Sequence, residues 1–233
     1  MIRPPRPQSV VIAGPVGKLE ALLEEPEGPR PASFGVVCHP HPLHGGTLEN
    51  KVVHTLARAL HEFSVPTVRF NYRGVGTSEG SYADGMGETE DALAAIEWGR
   101  QRWPAADPWL LGFSFGGGVA IRAGARAGAS LLVTVAPSLD RETAAASAEG
   151  PSCPWLIVQG DADDVIDARS VLEWASRLSL AREAAALPAL TVHVLHGAGH
   201  FFHGRLLELR EAVASFIRER DSLINESGAQ PAG

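Results

Sequence analysis

A chain of 233 residues with 45% hydrophobic and 20% charged residues has the length and composition of one globular domain with a substantial core. Its net charge of −7 supplies no basic stripe, which excludes nucleic acid and an anionic membrane surface as expected partners. No apolar run approaches the ~18 residues of a membrane span, Met1 to Pro7 lacks the apolar core of a signal peptide, and two cysteines make no disulfide framework, so a reducing cytoplasm is the expected compartment.

In chain order, the proline-rich first eight residues are expected to be loose. Val10-Val11-Ile12 and Lys18 to Glu24, parted by Gly14-Pro15, suit an antiparallel pair at a sheet edge. Phe34 to Cys38 is a short buried strand that leads into His39-Pro40-His41-Pro42-Leu43-His44-Gly45-Gly46. Asn50 to Phe63 has helical apolar spacing through Val53, Leu56, Ala57 and Leu60. Val65 to Phe70 is the next strand, followed by a glycine-punctuated loop, Asn71 to Gly80. Gly87 to Trp103 reads as a helix closed by Pro104.

Strands are expected at Ser130–Val135, Trp155–Gln159 and Leu190–Leu195, with helices at Ile166–Leu180 and Phe202–Arg220 and a loose tail from Ser222 to Gly233. Short apolar strands alternating with helices imply an α/β fold whose mostly parallel sheet is covered on both faces. Neither an internal repeat nor a linker divides residues 1–233, so a single domain is expected.

The centre of the chain is Trp109 to Gly118. An apolar strand-length run ends in Gly112-Phe113-Ser114-Phe115-Gly116, and a small-residue helical segment follows. Strand, sharp turn and helix form the setting of a nucleophile elbow, in which the serine stands at the tip and glycines let strand and helix approach. Gly76-Thr77-Ser78-Glu79-Gly80 fits the same short pattern but follows a polar turn with no helix behind it, so context selects Ser114 and assigns Ser78 to a loop.

In a parallel α/β sheet, chemistry gathers at the carboxyl ends of the strands. Ser114 follows one such end, Asp161, Asp163 and Asp164 follow another, and His200 follows the last. A serine hydroxyl needs a base to become a nucleophile at neutral pH, and the base needs a carboxylate to fix its tautomer. The amide after the nucleophile, that of Phe115, supplies one oxyanion donor, and the second is due from the loop after the early strand. Pro40 and Pro42 have no N–H and are excluded.

The chain resembles small, lidless bacterial serine hydrolases of the α/β-hydrolase superfamily. Those carry His-Pro-His-Pro-x-x-Gly-Gly and Asn-x-Arg-Gly-x-Gly-x-Ser, here His39–Gly46 and Asn71–Ser78, and the likeness spans Ser33 to Phe216. Dienelactone-hydrolase-like and peptidase-like groups share parts of the pattern. The resemblance implies an α/β-hydrolase fold without a cap domain, consistent with only about 18 residues between the strands that would flank a cap. It also implies Asp163 as the acid, from the Gly160-x-x-Asp163-x-x-Ile166-Asp167 pattern, with Asp164 as the alternative and Asp161 left to stabilise the turn. Gly197-Ala198-Gly199-His200-Phe201 matches the superfamily's histidine loop and implies His200 as the base, with His203 at the rim. Alignment with the His-Gly-x turn implies the His41 amide as second oxyanion donor, with Leu43 as the alternative.

Two histidine groups, His39/His41/His44 and His193/His196/His200/His203, invite a metal reading. Alternation places His39 and His41 on one strand face, but the intervening prolines make an awkward ligand set and no carboxylate adjoins the second group. No metal or cofactor is expected. Gly74-x-Gly76 lacks the setting of a dinucleotide site. Arg73 is open to pairing with an active-site loop carboxylate or to a structural salt bridge, and Cys38 is a core residue.

The expected activity is hydrolysis of a small-molecule carboxylic ester through an acyl-enzyme on Ser114. Amide, peptide or thioester hydrolysis by the same groups, or a non-catalytic binding role of the fold, are the alternatives. An edge strand or the last helix could support a homodimer.

Overall fold

The computed structural model of the protein describes residues 5–28, 30–140, 143 and 151–228. The expectations for residues 1–4 and 229–233, and for most of the connection between Pro137 and Pro154, lie outside the described residues. Eight strands form one sheet in the order β1-β2-β4-β3-β5-β6-β7-β8. They are β1 (Gln8–Gly14), β2 (Gly17–Glu24), β3 (Ser33–Cys38), β4 (Thr67–Phe70), β5 (Asp107–Phe113), β6 (Leu131–Val135), β7 (Trp155–Gly160) and β8 (Leu190–Leu195). β1 and β2 pair antiparallel, β2 meets β4 antiparallel, and every other neighbouring pair is parallel.

Alternation along each central strand divides the core between the two faces. Val36, Leu110, Leu132, Trp155 and Ile157 point to one face, where α2 (Met86–Arg102), α3 (Phe115–Ala127) and α4 (Ala168–Ala184) cover them with Ile96, Ile121 and Leu178. Val37, Leu111, Val133, Leu156 and Val158 point to the other, under α1 (Lys51–His61) and α5 (Leu206–Gly228) with Leu56, Val213 and Phe216. Burial on both faces explains why these strands read as continuous apolar runs. Among the described residues no element forms a cap over the sheet, and no helix is long and apolar enough to cross a membrane.

Several boundaries move from their expected places. β1 begins at Gln8, because its backbone pairs with Leu23 on β2. α4 begins at Ala168 because the Asp167 side chain accepts from the amides of Arg169 and Ser170 as its N-cap. Phe202 is not helical: it has φ 51° and belongs to the turns between His200 and α5. α5 runs on to Gly228, beyond the Arg220 end expected for it.

A buried ion pair fastens the antiparallel edge to the parallel centre. Arg69 on β4 donates through Nε to Glu24 Oε2 on β2 at 2.8 Å and through Nη1 to the Leu48 carbonyl at 2.7 Å. The two side chains are 1% and 4% exposed. Removing one member leaves the other charged in the core, so Glu24→Ala is expected to cost about 3 kcal/mol of unfolding free energy. Urea unfolding measures it, and a loss below about 0.5 kcal/mol contradicts the role given to this pair.

Candidate active site

β5 delivers Ser114 at its carboxyl end in a backbone conformation of φ 57°, ψ −122°, from which α3 starts at once. A non-glycine residue in this region costs about 1–3 kcal/mol and is held by its surroundings. Here the Ser114 N–H donates to the Val135 carbonyl on β6 at 2.9 Å, and its own carbonyl accepts from Gly117 and Ser138. The flanking glycines are steric requirements. A Cβ on Gly112 would lie 2.0 Å from the Gly116 carbonyl oxygen, and one on Gly116 would lie 2.3 Å from the Cys38 and 2.4 Å from the His39 carbonyl oxygens. The elbow is therefore pressed against the end of β3, where the histidine-proline loop begins.

Two further loops bring the remaining groups. His200, from the loop after β8, has Nε2 at 3.0 Å from Ser114 Oγ and Nδ1 at 2.9 Å from Asp163 Oδ2. Asp163, from the loop after β7, has a fully buried side chain and accepts from the Val165 and Ile166 amides through its other oxygen. Burial pushes its carboxyl up, but the His200 hydrogen bond and the two amides outweigh that and hold its pKa below the ordinary value. Ser114 and His200 are themselves nearly buried, and the Phe113 ring packs against the imidazole at 4.9 Å.

The other aspartates separate cleanly. Asp164 is exposed. Asp161 reaches across to the histidine loop, where Oδ1 accepts from the Gly197 amide at 2.6 Å and Oδ2 lies 2.8 Å from His196 Nδ1. It thus stabilises more than its own turn, because it fastens the loop carrying Asp163 to the loop carrying His200. A Cβ on Gly160 would fall 2.2 Å from the Ala198 carbonyl oxygen, which shows how closely the two loops meet.

Gln159 escaped the sequence reading. Its Nε2 donates to Asp163 Oδ2 at 3.1 Å and to the Gly160 carbonyl at 3.1 Å. The reverse amide orientation would set its oxygen against the carboxylate, so the donor assignment follows from the neighbours. The signal was available as the one polar side chain in the buried strand Trp155-Leu156-Ile157-Val158-Gln159.

The histidine-proline loop lies on the other side of Ser114. His41 is half-buried, with its ring 4.8 Å from Phe115 and 5.3 Å from Tyr82. Its Nδ1 accepts from the Leu43 amide at 3.3 Å, and Nε2 lies 3.3 Å from the Tyr82 hydroxyl. The Leu43 amide is thereby engaged, whereas the amides of Phe115 and His41 donate to none of the described residues. β3 ends at Cys38, so the alternation that places His39 and His41 on one face does not continue: His39 is fully buried beside Tyr72. His203 is exposed next to Phe201. Among the described residues no three His, Cys, Asp or Glu side chains converge to hold a metal ion.

The Asn71–Ser78 motif is a buckle. Asn71 Oδ1 accepts from the Leu48 amide at 2.8 Å and its Nδ2 donates to Glu20 at 2.8 Å. Ser78 Oγ donates to the Asn71 carbonyl and accepts from the Glu20 amide, which confirms it as a loop residue. Arg73 makes a structural salt bridge to buried Asp91 on α2, not a contact to an active-site carboxylate.

The chain as a whole is similar to known proteins. A family model described as serine aminopeptidase, S33 (Hydrolase_4), matches residues 41–149. The chain is 42% identical to a solved α/β serine hydrolase homologue from Coxiella burnetii, with a TM-score of 0.81 and coverage of 89% of this chain and 96% of that one. It is 35% identical to a solved α/β serine hydrolase without lid from Xanthomonas campestris, again at a TM-score of 0.81, covering 94% and 97%. An uncharacterised protein of Rickettsia prowazekii (strain Madrid E) is 32% identical over 208 residues, which is 88% of this chain and 86% of that protein.

Two outcomes follow from the packing. Gly112→Ala and Gly116→Ala each force backbone apart at the elbow, and fluorophosphonate labelling of Ser114 should drop at least tenfold in either; labelling at the wild-type rate contradicts the steric account. The second concerns acid. Burial pushes the imidazoles of His39 and His61 down to about 4, whereas an unfolded histidine titrates near 6.5. Below that value the unfolded chain binds protons the folded chain refuses, so stability is full above pH ~6.5 and falls as pH drops toward ~4, by on the order of 3 kcal/mol for His39. Urea midpoints that stay constant between pH 6.5 and 4.5 would contradict this.

Proposed function

The chain belongs to the α/β-hydrolase superfamily of serine hydrolases, and from that premise we propose that it cleaves small carboxylic esters by a double displacement centred on Ser114. The observation that carries the reading is the unbroken line from Ser114 Oγ through His200 to Asp163, at 3.0 and 2.9 Å. His200 takes the hydroxyl proton through Nε2 as Ser114 Oγ attacks the ester carbonyl. Asp163 holds Nδ1 protonated and stabilises the imidazolium. Gln159 and two amides hold that carboxylate in place.

The tetrahedral oxyanion rests on the amides of Phe115 and His41. Engagement of the Leu43 amide by the His41 ring favours His41 over Leu43 for this part. Collapse of the adduct expels the alcohol, which takes the proton from His200. Water activated by the same imidazole then releases the acid and frees Ser114.

The side chains around Ser114 favour an ester with an apolar acyl group. The rings of Phe115, Tyr82 and His41 cluster beside the elbow, and Phe201, 46% exposed, packs against His200. An aminoacyl amide is the second reading, favoured by the description of the matching family model.

Turnover of p-nitrophenyl esters of increasing chain length, compared with aminoacyl p-nitroanilides, distinguishes the two. We expect ester turnover in wild type and a loss of at least about 10³-fold in kcat for Ser114→Ala. Anilide cleavage exceeding ester cleavage would shift the assignment to a peptidase, and equal turnover by Ser114→Ala would end the serine mechanism.

A further inference from the structure

The buried His39 lies behind the oxyanion loop and takes no part in the chemistry proposed for Ser114. Its Nδ1 is 2.7 Å from the Pro40 carbonyl oxygen, and its Nε2 is 3.1 Å from the Tyr72 backbone nitrogen. The carbonyl only accepts and the amide only donates, so the ring carries its proton on Nδ1 and accepts at Nε2. Both ring nitrogens are satisfied by a neutral imidazole, in keeping with the depression of its pKa by burial to about 4.

The Pro40 carbonyl belongs to the same peptide unit as the His41 N–H. That peptide is trans and planar, so its C=O and N–H point in opposite directions. Drawing the carbonyl inward to His39 turns the His41 N–H outward, away from the buried side. Gly46 closes the other flank of this peptide, since a Cβ there would lie 2.1 Å from the Pro40 oxygen. Gly116 in turn presses the elbow against the Cys38 and His39 carbonyls, which brings the Phe115 amide alongside.

We propose that His39 is a positioning residue for ester cleavage: its Nδ1–H grips the Pro40 carbonyl and so aims, and polarises, the His41 amide that receives the oxyanion. The Tyr72 amide fixes the tautomer this requires, which explains why a strand end in one motif is tied to the second residue of the other. The inference rests on the oxyanion role given to His41 above.

Three variants separate positioning from packing. His39→Asn keeps a donor at the Nδ1 position, His39→Gln keeps an acceptor at the Nε2 position but loses that donor, and His39→Leu loses both. For Gln and Leu we expect kcat on a short p-nitrophenyl ester, and the rate of fluorophosphonate labelling, to fall about 10- to 100-fold with KM changed less than about twofold. Affinity for an aryl trifluoromethyl ketone, whose adduct carries the oxyanion, should fall in step with kcat. Asn should recover kcat to within about threefold of wild type.

A ranking of kcat that follows urea midpoints instead of the retained donor would overturn the proposal, as would Gln or Leu at wild-type rates. The wild-type protein offers a check free of folding defects: ¹⁵N shifts of the His39 ring should mark Nδ1 as the protonated nitrogen, and a ring protonated at Nε2 would refute the grip. If wild type labels but cleaves no ester, the ester reading fails alone and the labelling rates still decide the role of His39. If wild type does not label at all, both fall.

Discussion

The turn at Ser114 is a strained backbone conformation held where two glycines allow main chain to meet main chain. Hydrogen atoms at Gly112 and Gly116 are all that fits between β5, the first turn of α3 and the end of β3. The strain of about 1–3 kcal/mol is sustained because the Ser114 peptide is hydrogen-bonded on both sides. That single steric arrangement sets three things at once. It lifts Oγ clear of the sheet, leaves the Phe115 amide at an open helix start, and draws the histidine-proline loop against the elbow.

Around this turn the loops are fastened to one another as well as to the sheet. Asp161 joins the acid loop to the histidine loop, while Asn71 and Ser78 join the β2 edge to the loop before α1. His39 and Tyr72 couple the two motif loops. Preorganisation of this kind matters because donors aimed in advance need no rearrangement as charge develops. Phe201 stands exposed beside His200, whereas His39, Asn71, Ser78 and the Asp163 side chain, which hold the geometry, are buried. Substitutions in the visible rim should therefore alter substrate choice more readily than chemistry.

Much of this was legible in the chain. The parallel core could be read from apolar runs and the antiparallel edge from Gly14-Pro15, because burial and turn chemistry leave strong local marks. Ser114, Asp163 and His200 stand at strand ends, and the structure brings their side chains within hydrogen-bonding distance. The helix beyond Ser222 was missed because its polar composition gives no apolar period. Gln159 and Asp161 were underread for another reason: their roles are made by contacts between residues 4 and 36 positions apart, and only the fold displays them. Arg73 and the pairing of His39 with Tyr72 belong to the same class.

The central claim is that Ser114 carries the acyl group. Its most direct test is to mix the protein with excess p-nitrophenyl acetate, quench in acid within the burst, and digest for mass spectrometry. An acetyl adduct on the peptide holding Ser114, absent from Ser114→Ala, is the result predicted. Release of nitrophenol by wild type with no adduct there, or with the adduct on another residue, would contradict it.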